Sequence, residues 1–461
     1  MRKASLYFFL LPIAFIYTGD LRPCTSVVVG RKATKDGSVL FGHNEDDFGR
    51  RVVNAWLVPG IRHAEGETIQ FQNGGRIDQS PETWSMLWFQ VNELPFSDCY
   101  CNEWGVTVAS DACPSREDRP DLTDGGIGFP LRRIVAERAR SAREGVRLAG
   151  SLLDRFGYAS SGRTLVICDP EEGWLLSMVA GKHWVAQRVP DDGVVVLPNT
   201  YVVGRVEADT ASFLVSKDPV ADYARMRGWW TPESGSPFHF ADAYRSRESD
   251  PEASRKRRFD LRQWRGLSLL SGQTLPEEIA EENGLPFSIR PERKIGPEDV
   301  MALLRDHYEG TPYAVSPSPE SNPHYLGERP ICASATLFSF VAQLRRFMPP
   351  PMRARFWVAY GRPDTSPFVP WYSGMTAVPN GFHNTPGVDS PDSALARHFD
   401  PVPGTYDPDP DAAFWIFKRL AECVNQGYFQ KAVPVAAQWR TFEGRVSASL
   451  KTVEKEAIRL Y

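Results

Sequence analysis

Cys24-Thr25-Ser26-Val27-Val28-Val29-Gly30, followed by Lys35-Asp36-Gly37-Ser38 and Gly42-His43-Asn44-Glu45-Asp46, is the stretch that decides how this chain is read. Two apolar or β-branched runs, 25–33 and 39–43, flank an Asp-Gly pair, which is a strong hairpin signal. Cys24 then stands at the start of a buried strand, and residues 43–46 emerge at the end of the returning one. If the chain is cut before Cys24, one residue carries both a thiol and a free α-amine. Their reference pKa values are about 8.5 and about 7.7 to 8.0, so the amine is a base near neutral pH and the thiol needs little activation. That pairing points to acyl-transfer chemistry at an N-terminal nucleophile.

The residues before Cys24 fit such a cut. Residues 1–23 hold Arg2 and Lys3, an apolar run over 6–17, then Thr18-Gly19-Asp20. A basic start and a short hydrophobic core form the pattern of a signal peptide or propeptide, and a membrane span needs about 20 apolar residues. No second such run comes later, so the mature chain is not expected to be embedded in a membrane. The expected location is secreted or periplasmic, with membrane association through an uncleaved leader as the alternative. Arg22-Pro23 makes a poor signal-peptidase site. A cut near Gly19, then loss of residues 20–23 by attack of Cys24 on its own preceding carbonyl, fits better. The same two residues argue against lipid attachment at Cys24, which would also acylate the amine.

Composition narrows the class. Apolar residues at 42% and charged ones at 24% describe a globular chain long enough for a large core, and a net charge of -4 leaves no nucleic-acid footprint. Seven cysteines in 461 residues do not make a disulfide scaffold, and the odd count leaves one thiol free. Cys99, Cys101 and Cys113 are close enough in sequence for one bridge in an oxidising compartment. A zinc site from those three and a histidine is disfavoured, because Cys99-x-Cys101 is tighter than the usual ligand spacing.

Further strands are expected at 85–91, 106–110, 163–168, 173–179 and 194–197. Residues 131–156 repeat apolar positions at three and four with Arg and Glu between, which predicts one long amphipathic helix or two with a break near Gly145. Other helices are expected over 297–305, 334–346, 411–423 and 438–458. Residues 230–254 read as an exposed excursion. Residues 361–410 contain many prolines but also Phe368, Trp371 and Tyr372, so they read as an ordered loop region packed on the core.

Two asparagines beside turns, Asn102 and Asn199, are candidate oxyanion donors, because an amide N–H carries no charge whose desolvation must be overcome. Each, taken alone, has a turn or cap role as its ordinary reading. There is no Gly-x-Ser-x-Gly elbow, His-Glu-x-x-His helix or Walker loop. His183 and His307 are the candidate bases of a conventional cysteine protease, and both read more simply as structural residues.

Cys24-Thr25-Ser26, Ala33-Thr34-Lys35-Asp36-Gly37-Ser38 and Asn44-Glu45-Asp46 together resemble the C69 dipeptidase family, N-terminal nucleophile hydrolases related to penicillin V acylase and bile salt hydrolase. Asn102-Glu103-x-Gly105, Trp184-Val185-Ala186, Asp306-His307-Tyr308-Glu309-Gly310-Thr311 and Pro370-Trp371-Tyr372-x-Gly374 extend the resemblance over roughly residues 24–375. It implies an α+β fold, the αββα sandwich of these hydrolases with helical additions, over a single domain from 24 to 461 with ordered insertions. It also implies hydrolysis of dipeptides with a free amino end, with no cofactor or metal; homo-oligomerisation stays open. Cys24 is then the nucleophile, Asp46 orients its amine, and His43 stands where the acylases carry arginine. Asn199, and less decisively Asn102, supplies the oxyanion donor. Arg257 or Arg258 supplies a late arginine, and Glu45 is the candidate for binding the substrate ammonium. The alternatives are an N-acyl amide hydrolase of the same superfamily and an inactive secreted or wall-associated binding protein.

Overall fold

The computed structural model describes residues 24–246 and 259–461, so the leader and Arg257 and Arg258 lie outside the described residues. The hairpin sets the frame. β1 (Thr25–Val29) and β2 (Val39–Asp46) pair antiparallel with Ser26 opposite His43, and every residue of both is buried. In the turn, Asp36 Oδ1 accepts from the Ser38 backbone N–H and hydroxyl at 3.1 and 2.6 Å, and Gly37 takes φ 81°. An Asp that bonds its own backbone two residues on, beside a left-handed glycine, closes the loop by local chemistry.

The chain continues through β3 (Val53–Val58), β4 (Met86–Val91), β5 (Cys99–Asn102), β6 (Thr107–Ala112), β7 (Tyr158–Cys168), β8 (Gly173–Gly181), β9 (Trp184–Arg188), β10 (Val194–Leu197) and β11 (Phe213–Val215). β12 (Thr336–Leu344), β13 (Ala354–Tyr360) and β14 (Val369–Tyr372) come late. They form two antiparallel sheets, ordered β10-β1-β2-β12-β13-β14 and β11-β9-β8-β7-β6-β5-β4-β3. The main helices are α1 (Pro130–Arg138), α2 (Ala142–Phe156), α3 (Leu261–Ser271), α4 (Pro297–Leu304), α5 (Ala413–Asn425) and α6 (Tyr428–Leu460).

Side-chain alternation assigns the layers. Val28, Phe41 and Phe340 of the first sheet share a core with Phe89, Ala109, Val166 and Leu175 of the second. The opposite face of the second sheet (Val108, Leu165, Trp174) packs on Ile134, Val146 and Leu153 of α1 and α2. The outer face of the first (Val27, Val29, Val196, Trp357) packs on Leu267 of α3, Val300 and Leu304 of α4 and Leu450 of α6. The result is a four-layer αββα sandwich of the α+β class. Gly42 lets α4 press against the sheet, since a Cβ there would lie 2.5 Å from Val300 Cγ1 and 2.8 Å from Val27 Cγ1.

Three expectations change. Residues 334–346 are not a helix but hold β12, the central strand beside β2. A short apolar run buried on both faces has no periodicity that separates strand from helix. The helical stretch 131–156 does break, at Ala139–Ser141 and not at Gly145, where Ser141 caps α2 through the Glu144 N–H. No disulfide forms among the cysteines of the described residues, which are all free; Cys99, Cys101 and Cys113 lie buried in the intersheet core. Residues two apart on a strand are separated by roughly 6.7 Å, the far limit for a bridge. Phe368 and Trp371 are buried, as expected of an ordered region at 361–410. No helix among the described residues is long and apolar enough to cross a membrane.

Candidate active site

Cys24 enters β1 between two neighbours. The β1–β2 register pairs Thr25 with Asn44, and the β1–β10 register pairs Ser26 with Leu197. Continued outward, these place Cys24 opposite Glu45 on one side and Asn199 on the other. Cys24, Ser26, His43 and Glu45 share the face that meets the second sheet, so a polar line runs on from the apolar intersheet core.

That line is a continuous chain of hydrogen bonds. Ser26 Oγ donates to Asp111 Oδ2 at 2.6 Å and lies 2.8 Å from His43 Nδ1. His43 Nε2 is 3.1 Å from Glu45 Oε2, and the thiol of Cys24 donates to Glu45 Oε1 at 3.4 Å. With Glu45 on one side of the ring at 3.1 Å and Asp111 on the other at 3.9 Å, His43 is placed to carry a positive charge. Burial works against that charge, but the Glu45 hydrogen bond and the carboxylates of Asp111 and Glu45 hold the His43 pKa above its ordinary value. Asp111 is pushed up to about 7, chiefly by burial, against the pull of His43, Ser26 and Arg163. The thiol is raised well above its ordinary value by burial and then by Glu45, Asp111 and Asp46. It is therefore neutral at rest.

A second arm comes from α3. Asp260 caps this helix by accepting from Arg262 N and Gln263 N at 2.8 and 3.2 Å. The cap aims Arg262 inward: Nη1 donates to Cys24 O at 2.9 Å and to Asn199 Oδ1 at 3.0 Å, while Nη2 reaches Asp260 Oδ2 at 3.2 Å. With Oδ1 thus held, Asn199 Nδ2 is buried and has no acceptor among the described residues. A buried amide donor left open costs about 1 to 3 kcal/mol, and this one stands one strand over from Cys24.

The third arm is Asp46, which accepts from Thr336 Oγ1 at 2.6 Å and Arg329 Nη2 at 2.7 Å. Burial raises its pKa even so, with Arg329, Thr336 and Arg262 opposing. Asn44 faces the helices and donates to Leu304 O and Ile331 O, both at 2.9 Å, which ties the end of α4 to β2.

The structure thus gathers Cys24, His43, Glu45, Asp46 and Asn199. It takes Asn102 elsewhere: its Nδ2 donates to Ala136 O and Ala139 O at 2.8 Å, and its Oδ1 accepts from Trp104 N and Val106 N at 3.0 Å. Every bond this amide can make is used to fasten α1 to the β5–β6 turn, so it has no donor left for an oxyanion. Glu45 has one oxygen against the thiol and the other against His43, so it is tied into the cluster. His183 stacks on Tyr223 with ring centroids 3.9 Å apart, away from the thiol chain. Sequence reasoning does not find Arg262, Ser26, Asp111 or Arg329. Of these, only Arg262 has a local signal, because Asp260 just before an apolar helical run is an N-cap pattern that fixes the direction of the first helical turn. A cavity of about 820 Å³ opens next to the second arm, lined by Thr200, Tyr201, Asp260 and Gln263.

A model of peptidase family C69 matches residues 115–440, well over half of the chain. A probable dipeptidase of Latilactobacillus sakei is 24% identical, with 95% of this chain and 89% of that protein aligned. A dipeptidase of Bifidobacterium longum is 26% identical over 78% of this chain and 73% of its own length. Among solved structures, a mutant conjugated bile acid hydrolase of Clostridium perfringens overlays with a TM-score of 0.32 at 12% identity, over 77% of this chain and 95% of that one, too distant a likeness to bear on substrate. The chain belongs to peptidase family C69.

Proposed function

We propose that this peptidase is a dipeptidase whose nucleophile is Cys24, freed at its α-amine by removal of residues 1–23 during export. The observation that carries the reading is the open Asn199 donor one strand over from a neutral buried thiol, with Arg262 holding Asn199 Oδ1 and the Cys24 backbone carbonyl. The α-amine takes the thiol proton as sulfur attacks the scissile carbonyl. Asn199 Nδ2 stabilises the oxyanion, and the ammonium then protonates the departing amine. Water activated by the same amine cleaves the thioester. Glu45 links His43 to the thiol and orients the S–H. The names of the aligned relatives support dipeptides as substrates.

The test has two parts. Mass spectrometry of the mature protein is expected to find Cys24 first, with an unmodified amine. Purified enzyme should hydrolyse a dipeptide at least about tenfold faster than its N-acetylated form, equivalent to roughly 1.4 kcal/mol, and Cys24→Ala should abolish this activity. Equal rates on both substrates favour an acylase, and full activity in Cys24→Ala rejects the nucleophile.

A further inference from the structure

Behind the active site, away from the thiol chain, His307, Cys332 and Asp364 converge from three separate parts of the chain. A ring nitrogen of His307, Cys332 Sγ and an Asp364 oxygen all lie within 4.8 Å of one another, and all three residues are buried. His307 Nδ1 is 3.0 Å from Glu309 Oε1, which leaves Nε2 as the ring nitrogen turned inward. That Nε2 is buried without a hydrogen-bond partner among the described residues, 3.8 Å from Asp364 Oδ2. Asp364 is in turn held by His324 Nε2 and the Tyr428 hydroxyl, each 3.0 Å from Oδ2.

We propose that His307, Cys332 and Asp364 bind a divalent transition-metal cation of the zinc class. Imidazole, thiolate and carboxylate are the donors such a cation takes, and bonds of 2.0 to 2.3 Å set tetrahedral ligand atoms about 3.5 Å apart. The spacing here needs only a small contraction. A carboxylate on the far nitrogen of a ligating histidine, and hydrogen bonds to a ligating carboxylate, are the usual outer shell of a metal centre. Binding releases the Cys332 thiol proton. Thiolate, Asp364 and Glu309 then offset the cation together with Arg362, whose Nε stands 3.3 Å from Asp364 Oδ1. Three protein ligands leave a fourth position for water.

The site clamps the loop that serves the active centre. Ile331, next to Cys332, accepts from Asn44, and Arg329 in the same loop holds Asp46. Metal uptake is read directly, so it stands or falls independently of the dipeptidase activity.

The test uses full-length Cys24→Ala protein, which removes the other trio within reach of a cation among the described residues, Cys24, His43 and Glu45. After chelator treatment it is titrated with Zn²⁺ and, in parallel, with Co²⁺. One Zn²⁺ per chain and a thiolate-to-cobalt charge-transfer absorption are expected, both lost in the added Cys332→Ser change. Glu309→Ala, at a side chain 64% exposed and so safe for folding, should weaken Zn²⁺ about 10- to 100-fold. If Cys332→Ser does not fold, the cobalt spectrum of the parent and the Glu309→Ala affinity decide. No uptake of either ion by the parent, or undiminished affinity in the variants, overturns the proposal.

Discussion

Asn199→Ala tests the proposed mechanism most directly, because the structure separates its catalytic cost from its structural cost. In the resting site Nδ2 has no acceptor, so truncation loses no existing bond there and relieves an open donor worth about 1 to 3 kcal/mol. What it does lose is the 3.0 Å bond from the charged Arg262 to Oδ1, about 1.5 to 3 kcal/mol, and Arg262 keeps Cys24 O and Asp260. The two effects nearly cancel, so stability should change by no more than about 1 kcal/mol in either direction. Turnover has no such compensation: one preorganised oxyanion donor is worth about 3 to 4 kcal/mol, a fall in kcat of about 100- to 1,000-fold with a modest change in KM. Asn199→Asp should be at least as harmful, since it puts a carboxylate beside the developing charge. The assay is steady-state kinetics on a dipeptide, normalised by active-site titration of Cys24, with denaturant melts on the same samples. A well-folded Asn199→Ala enzyme with near-wild-type kcat would refute the assignment.

Asn102→Ala should behave in the opposite way: it strands two carbonyls and two N–H groups at the α1 junction, so a loss of about 3 kcal/mol in denaturant melts is expected with kcat of the folded fraction unchanged. Asp111 gives a pH signature. Its pKa rises from 3.8 unfolded to about 7 folded, so between these values the unfolded chain sheds a proton that the folded one keeps. Stability attributable to Asp111 therefore falls as pH rises through that window, by up to about 4 kcal/mol, and levels off above it. His43, whose folded pKa is also raised, pushes the same way, since its paired charge is lost as pH rises. Asp111→Asn should gain stability relative to wild type on going from pH 4 to pH 7.5 in parallel melts; identical pH profiles would show that Asp111 is not held protonated.

How much of each element is legible in the sequence depends on how local its cause is. The β1–β2 hairpin is legible because Asp36-Gly37 and the β-branched runs act within a few residues, and so is the position of Cys24 at its mouth. Asn102 and Asn199 look alike in sequence, each beside a turn, and only the register and the position of α1 tell them apart. β12 reads as a helix because a strand buried on both faces shows no alternation; its identity comes from β2 and β13 on either side. Asp111 and Arg329 meet Ser26 and Asp46 across 85 and 283 residues of chain, a distance over which no spacing rule operates.

The order of strands also bears on when the site can assemble. The eight-stranded sheet is a meander in which each strand pairs with its predecessor, apart from the detour through β10. It can close while the chain is still being made, because its pairings are short-range. The six-stranded sheet cannot. β2 lacks its second neighbour until residues 336–344 have left the ribosome, and Asp46 lacks Thr336 until the same moment. Arg262 reaches Cys24 only after α3 is made. A nascent chain therefore holds its thiol beside an unfinished sheet, without its arginine or its clamped aspartate, for most of its synthesis. Topology thus delays assembly of the site until late in synthesis.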